Sequence, residues 1–138
     1  MKILVDTNII IDLLAQRKEF YPEAASLFSR ADKGEIQLFV SALSFANTHY
    51  ILNRDLNSSE SKKVLLQFKS LVSTINMSDK IVNLALADNL FKDFEDGIQY
   101  YSSMEEGVNL ILSRNKKDFK NSSIPVMTAK EFIASNSI

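Results

Sequence analysis

The chain has 138 residues, the length of one domain, with 46% hydrophobic and 24% charged residues and only three glycines and two prolines, which excludes disordered, collagenous and low-complexity classes. Cysteine is absent, so disulfides, thiolate zinc sites and cysteine nucleophiles are excluded, and a reducing cytoplasm suits the composition. Sixteen basic and seventeen acidic residues give a net charge of -1, which argues against a nucleic-acid coat held by a global positive field.

Ile3-Leu4-Val5 is a short apolar run that stops at Asp6-Thr7-Asn8, the pattern of a buried strand ending in a polar turn. The apolar block from Ile9 to Leu14 predicts a short helix. Between Tyr21 and Lys33 apolar residues recur every three or four positions, Pro22 suits a first turn and Gly34 suits a stop, so a helix is expected there. Leu38-Phe39-Val40 predicts a second strand ending at Ser41-Ala42, with a helix over about 44–53. Asn57-Ser58-Ser59 reads as a cap for a helix running to about Leu71, and 72–75 as a weaker third strand. Ser78 is expected to cap a helix carrying Ile81, Val82, Leu84, Ala85 and Leu86. Asp93 is expected to open another with Ile98, Tyr101 and Met104 inward. Strands over 108–112 and 124–127 follow, and Thr128 suits the cap of a terminal helix.

Strands alternating with helices predict one α/β domain over 1–138, with a mostly parallel sheet covered on both faces. In such folds ligands collect beyond the carboxyl ends of the strands, which directs attention to Asp6, the Ser41 region and 113–118. No apolar run approaches the roughly 18 residues needed to cross a bilayer, and Asp6 interrupts the place where a signal peptide would be apolar, so no membrane role is expected.

Asp6, directly after an apolar strand, would be costly as an unpaired carboxylate unless it is hydrogen-bonded, solvated or metal-bound; helix capping is the plain alternative. Asp93-Phe94-Glu95-Asp96 places three acids in a first helical turn, where the helix dipole favours them. With Asp93 as the cap, Asp96 falls in phase with Tyr100 and Met104, and an acid on an inward stripe needs a partner. Charge is segregated along the chain: residues 79–106 hold seven acids and two bases, whereas 111–120 hold four bases and one acid, Asp118. That division suits a phosphodiester, with a divalent cation among the acids and cations on the flanking phosphates. An all-oxygen donor set with one histidine, His49, selects Mg²⁺ or Mn²⁺ over zinc. Tyr100 and Tyr101 read as packing residues.

Taken in order, Ile3-Leu4-Val5-Asp6-Thr7-Asn8, Ser41-Ala42-Leu43-Ser44-Phe45, Asp93-Phe94-Glu95-Asp96-Gly97-Ile98-Gln99 and Ser113-Arg114-Asn115-Lys116-Lys117-Asp118-Phe119 resemble the PIN-domain family, in particular its VapC-type toxin ribonucleases. The resemblance implies a three-layer α/β/α fold with parallel strand order 3-2-1-4-5, Mg²⁺- or Mn²⁺-dependent endonucleolytic cleavage of RNA, a homodimer, and a small antitoxin that holds it inactive. Asp6 matches the first family acid and Asp96 the third. Asp118 matches the fourth, although many relatives carry that acid where Asn115 stands. The second, usually a glutamate on the helix after strand two, corresponds here to Asn47. Counted from Leu43, Asn47 shares a face with Tyr50 and Ile51, and so can point toward the strand ends. Its amide can bind an ion or a water but supplies no charge and no base.

On this reading Asp6, Asp96 and Asp118 hold the metal, and Thr7, Asn8, Asn47, Ser113 and Asn115 orient ligands or water around it. Arg114, Lys116, Lys117 and Lys120 hold the RNA backbone. The missing second acid leaves open a module that acts by binding RNA or a partner without cleavage. A phosphoacceptor receiver is disfavoured because a single acid follows strand one and the third strand ends at Asn76-Met77, and a haloacid-dehalogenase-type phosphatase because Asp6-Thr7-Asn8 lacks a second aspartate.

Overall fold

The computed structural model describes residues 1–135. Its strands are β1 (Lys2–Val5), β2 (Gln37–Ser41), β3 (Ser73–Ile75), β4 (Leu110–Leu112) and β5 (Val126–Met127), and the helices are α1 (Thr7–Leu14), α2 (Tyr21–Asp32), α3 (Ala42–Leu52), α4 (Ser58–Lys69), α5 (Asp79–Ala87), α6 (Phe94–Glu106) and α7 (Ala129–Ser135). All strand pairs are parallel, and the sheet runs β3-β2-β1-β4-β5. This is the order implied by the resemblance. β1 is central, with Ile3, Leu4 and Val5 facing Leu110, Ile111 and Leu112 of β4.

Central parallel strands have no solvent face, which is why they read as unbroken apolar runs. Alternation divides their side chains between two cores. Ile3, Val5, Leu38, Val40, Leu110 and Leu112 pack with Ile9, Ile10, Leu27, Phe28, Phe68 and Phe132. Leu4, Phe39 and Ile111 face the other way, onto Phe91, Tyr100 and Phe119. Tyr100 stacks on Phe91 with ring centroids 4.7 Å apart, and the Tyr101 hydroxyl donates to Asp88 at 2.7 Å, so both tyrosines serve packing and anchoring.

Several helix ends follow from local chemistry. Asn57 caps α4, Ser78 caps α5, and Thr128 exchanges two hydrogen bonds with Glu131 in a capping box that starts α7. Gly107 ends α6 at φ +71°, a left-handed conformation that glycine adopts without a Cβ penalty, and so turns the chain into β4. Gly97 marks where α6 packs on α5: a Cβ there would lie 3.4 Å from the Ala85 Cβ, at the near edge of ordinary van der Waals contact.

Two sequence expectations are corrected. Met104 is 49% exposed, because the buried stripe of α6 runs through Ile98, Gln99, Ser102 and Ser103. Tyr50 is 69% exposed; the inward face of α3 is Ser44, Thr48 and Leu52, which leaves Asn47 half-buried at the edge of that face. The charged segment after β4 is a short 3₁₀ turn, Lys116–Phe119, anchored by buried Phe119. Among the described residues no helix is long and apolar enough to cross a membrane.

Candidate metal and phosphodiester site

β1 ends at Asp6, whose backbone N–H still donates to the Leu112 carbonyl at 2.9 Å, continuing the pairing with β4 by one residue. Asp6 is therefore fixed at the carboxyl edge of the sheet while also capping α1. Its Oδ1 accepts from the Thr7 N–H at 2.8 Å, and its Oδ2 accepts from the Ser113 hydroxyl at 2.7 Å and, more weakly, from the Asn8 amide at 3.4 Å. Ser113 is fully buried just beyond β4, and its Oγ also accepts from the Asn115 N–H at 3.0 Å. Asn8 Oδ1 accepts from the Arg114 N–H at 3.4 Å, tying α1 to the same turn.

Burial pushes the Asp6 carboxyl above its ordinary pKa, against the lowering effect of the Ser113 and Thr7 hydrogen bonds, and the negative charge of Asp118 adds to the rise. Asp96, in the first turn of α6, is half-buried and pushed up to about 7, first by desolvation and then by Asp93, Asp6, Asp118 and Glu95. Asp93 is the cap of this helix, accepting from the Glu95 and Asp96 N–H groups at 2.8 and 3.3 Å. Asp118 is exposed on the 3₁₀ turn. The three acids named from the sequence thus feel one another from three chain segments. Among the described residues no three His, Asp or Glu side chains already enclose a single point. The donors still fit a hard divalent ion that keeps several of its waters: all are carboxylate oxygens, Asp6 and Asp96 are partly desolvated and raised in part by neighbouring negative charge, and added positive charge relieves that repulsion.

Beneath the carboxylates lies a buried polar layer. Gln99 donates from Nε2 to Ser44 Oγ at 2.8 Å and to Thr7 Oγ1 at 3.3 Å, and the two hydroxyls bond each other at 2.8 Å. Gln99 and Ser44 are fully buried, and Thr7 nearly so. This layer joins α1, α3 and α6: Thr7 directly follows Asp6, and Ser44 and Gln99 each stand about one helical turn from Asn47 and Asp96.

Two site features escaped the sequence reading. Glu95 accepts a hydrogen bond from the Asn47 amide Nδ2, so the amide offers its nitrogen to a carboxylate. Glu95 is held above its ordinary pKa by desolvation, Asp93 and Asp6, with the Asn47 bond opposing. Its position beside two other acids in a helical first turn made capping a sufficient account. Asp12 was hidden inside the apolar block of α1; it is 2% exposed and accepts from Arg114 Nε at 2.8 Å. The Arg114 guanidinium also lies over the Phe20 ring at 4.1 Å, so this cation, assigned from sequence to the RNA backbone, is engaged inside the fold. Lys116 forms an exposed pair with Glu131 at 3.0 Å, whereas Lys117 and Lys120 stand exposed on the turn. Asp12, Arg114, Phe20, Glu19, Glu23 and Lys130 line a cavity of about 310 Å³ next to the site.

The chain is thus an α/β domain with a five-stranded parallel sheet in the order 3-2-1-4-5, and carboxylates from the end of β1, from α6 and from the turn after β4 influence one another at the carboxyl edge of that sheet. Residues 2–117 match the family model for the PIN domain, and the chain belongs to that family. It is 29% identical over 138 residues to Ribonuclease VapC1 of Aquifex aeolicus (strain VF5), an alignment covering 95% of this chain and 92% of the relative. A toxin-antitoxin complex from Klebsiella pneumoniae superposes with a TM-score of 0.67 at 25% identity, over 91% of this chain and 96% of that one. VapBC2 from Rickettsia felis, solved on a promoter DNA fragment, gives 0.69 at 17% identity over 93% and 98%, a likeness of fold.

Proposed function

We propose that the chain is a divalent-metal-dependent endoribonuclease and the toxin of a toxin-antitoxin pair, acting as one domain over 1–138. The observation that carries this reading is the set of mutually repelling, partly desolvated carboxylates at the sheet edge, in a chain that belongs to the PIN family. Asp6, Asp96 and Asp118 hold Mg²⁺ or Mn²⁺, which when bound supplies an activated water and stabilises charge developing on the scissile phosphate. Ser113, the Thr7 N–H and Asn8 fix the direction of the Asp6 carboxylate. Asn115 continues that network through its backbone. Lys117 and Lys120 hold the RNA by its phosphates, with Lys116 recruited from its exposed pair with Glu131, and Arg114 bracing the turn that carries all three. The relatives' descriptions as a ribonuclease and a toxin-antitoxin complex support an RNA substrate and a small antitoxin partner, and a cytoplasmic homodimer accords with the family.

Purified protein should cleave RNA when Mn²⁺ or Mg²⁺ is present and stop when the ion is chelated. Asp6→Asn and Asp96→Asn should each lower cleavage by at least about 100-fold. Cleavage surviving both substitutions, or persisting in chelator, overturns the assignment; metal-independent RNA binding without cleavage by the parent would indicate a binding module instead.

A further inference from the structure

Two side-chain pairs connect α3 and α6. Ser44 Oγ accepts from Gln99 Nε2 at 2.8 Å, and Asn47 Nδ2 donates to Glu95 Oε1. Moving three residues along α3, from Ser44 to Asn47, corresponds to moving four residues back along α6, from Gln99 to Glu95. Over this stretch the helices therefore face each other with opposed sense, and each step is one helical turn on a common face. The lower pair includes Thr7, the residue after Asp6. Glu95 of the upper pair adjoins Asp96 in the chain and feels the charge of Asp6, which sets this pair beside the carboxylate cluster.

On the metal-dependent nuclease reading, we propose that Glu95 supplies the carboxylate that α3 lacks. Asn47 is its positioning residue, so the acid reaches the ion from α6 while its tether stands on α3. The chemistry of the pair favours this. A carboxylate held by an amide donor keeps one oxygen for the helix contact and one for a cation, whereas an asparagine with its nitrogen turned to Glu95 presents no charge of its own. A carboxylate at 47 or at 95 then serves the same point, and the two positions are interchangeable.

The test is Mn²⁺ binding by the full chain, followed by isothermal titration calorimetry and by the loss of the free-ion electron paramagnetic resonance signal, with metal-free thermal melts run on every variant. Glu95→Gln should raise the Mn²⁺ dissociation constant about tenfold, and Asn47→Ala about threefold, without lowering the metal-free melting temperature of Glu95→Gln. The exchange Asn47→Glu with Glu95→Gln should recover binding to within about threefold of the parent. A Glu95→Gln variant that binds Mn²⁺ like the parent, while Asp6→Asn loses it, overturns this role and leaves the nuclease reading standing. An exchange variant that binds no better than Glu95→Gln overturns the equivalence of the two positions. Parent-like Mn²⁺ binding in Asp6→Asn would instead overturn the metal site as a whole.

Discussion

Asp6 caps the short helix α1 and Asp12 lies within it, and both are largely withdrawn from water, at 9% and 2% exposure. Their surroundings differ. Asp12 faces a guanidinium at 2.8 Å, with Arg17 at 3.9 Å on its other oxygen. Asp6 is hydrogen-bonded to hydroxyl and amide donors and has no ion-pair partner among the described residues; beyond them the charge of Asp118 acts on it, opposed by a weaker influence of Arg114. A buried charge with its counter-ion built in is a structural element, whereas one held mainly by neutral donors keeps a larger desolvation cost that a cation could relieve. Two aspartates at one helix thus come to differ in their electrostatic surroundings through tertiary contact, and the proposed metal role falls to the one without an ion-pair partner.

The comparison breaks most visibly at Asp6. Asp6→Asn should abolish metal-dependent RNA cleavage yet leave metal-free stability unchanged or slightly higher, since the amide relieves like-charge repulsion; a large fall in the denaturation midpoint would place Asp6 with Asp12. Asp12→Ala should do the reverse. Stranding Arg114 beside an apolar helix should cost roughly 3 kcal/mol in urea unfolding, near the low end for a broken buried pair because a quarter of the Arg114 side chain reaches solvent. Loss of cleavage with no loss of stability would contradict its structural role.

The proton provides a subtler probe. The Asp96 carboxyl titrates near 7 in the folded chain against about 3.9 when unfolded. Its contribution to stability is complete below the unfolded value and is lost as pH rises through the folded one; the raised values of Asp6 and Glu95 act in the same direction. Metal-free protein should therefore melt at progressively lower temperature from about pH 5 to pH 8, and Mn²⁺ should flatten that decline. A metal-free melting temperature that rises over the same interval would refute the mutual repulsion of these acids. The smallest effect is expected at Gln99→Leu, which removes the donor joining Thr7 to Ser44 but leaves the two hydroxyls bonded to each other, at a cost of about 1–2 kcal/mol by thermal melt.

Much of the fold was legible. Short apolar runs located β1, β2, β4 and β5, 72–75 was legible only as a weaker strand, and Asn57, Ser78, Asp93 and Thr128 marked helix starts by chemistry that operates within a few residues. The errors lie where burial depends on the partner element. Met104 and Tyr50 are in phase with inward residues yet stay exposed, since helical period fixes a face and cannot fix how wide a neighbour covers it. The acids Asp6, Asp96 and Asp118 were readable as single residues at expected strand ends and helix starts. Glu95 and Asp12 were not, because a capping turn and an apolar helix each gave them a sufficient local account.

By itself, then, the sequence determined the order of elements, the absence of thiol chemistry, and the separation of an acidic stretch from a basic one that underlies a net charge near zero. Those properties are local or additive along the chain. Only the tertiary structure decided which charges meet: Arg114 was drawn to Asp12, Asn47 to Glu95, and Asp6 was left among other acids. Electrostatic energy depends on distance and desolvation between residues as much as a hundred positions apart, and those distances exist only once the sheet has brought β1, β4 and α6 together.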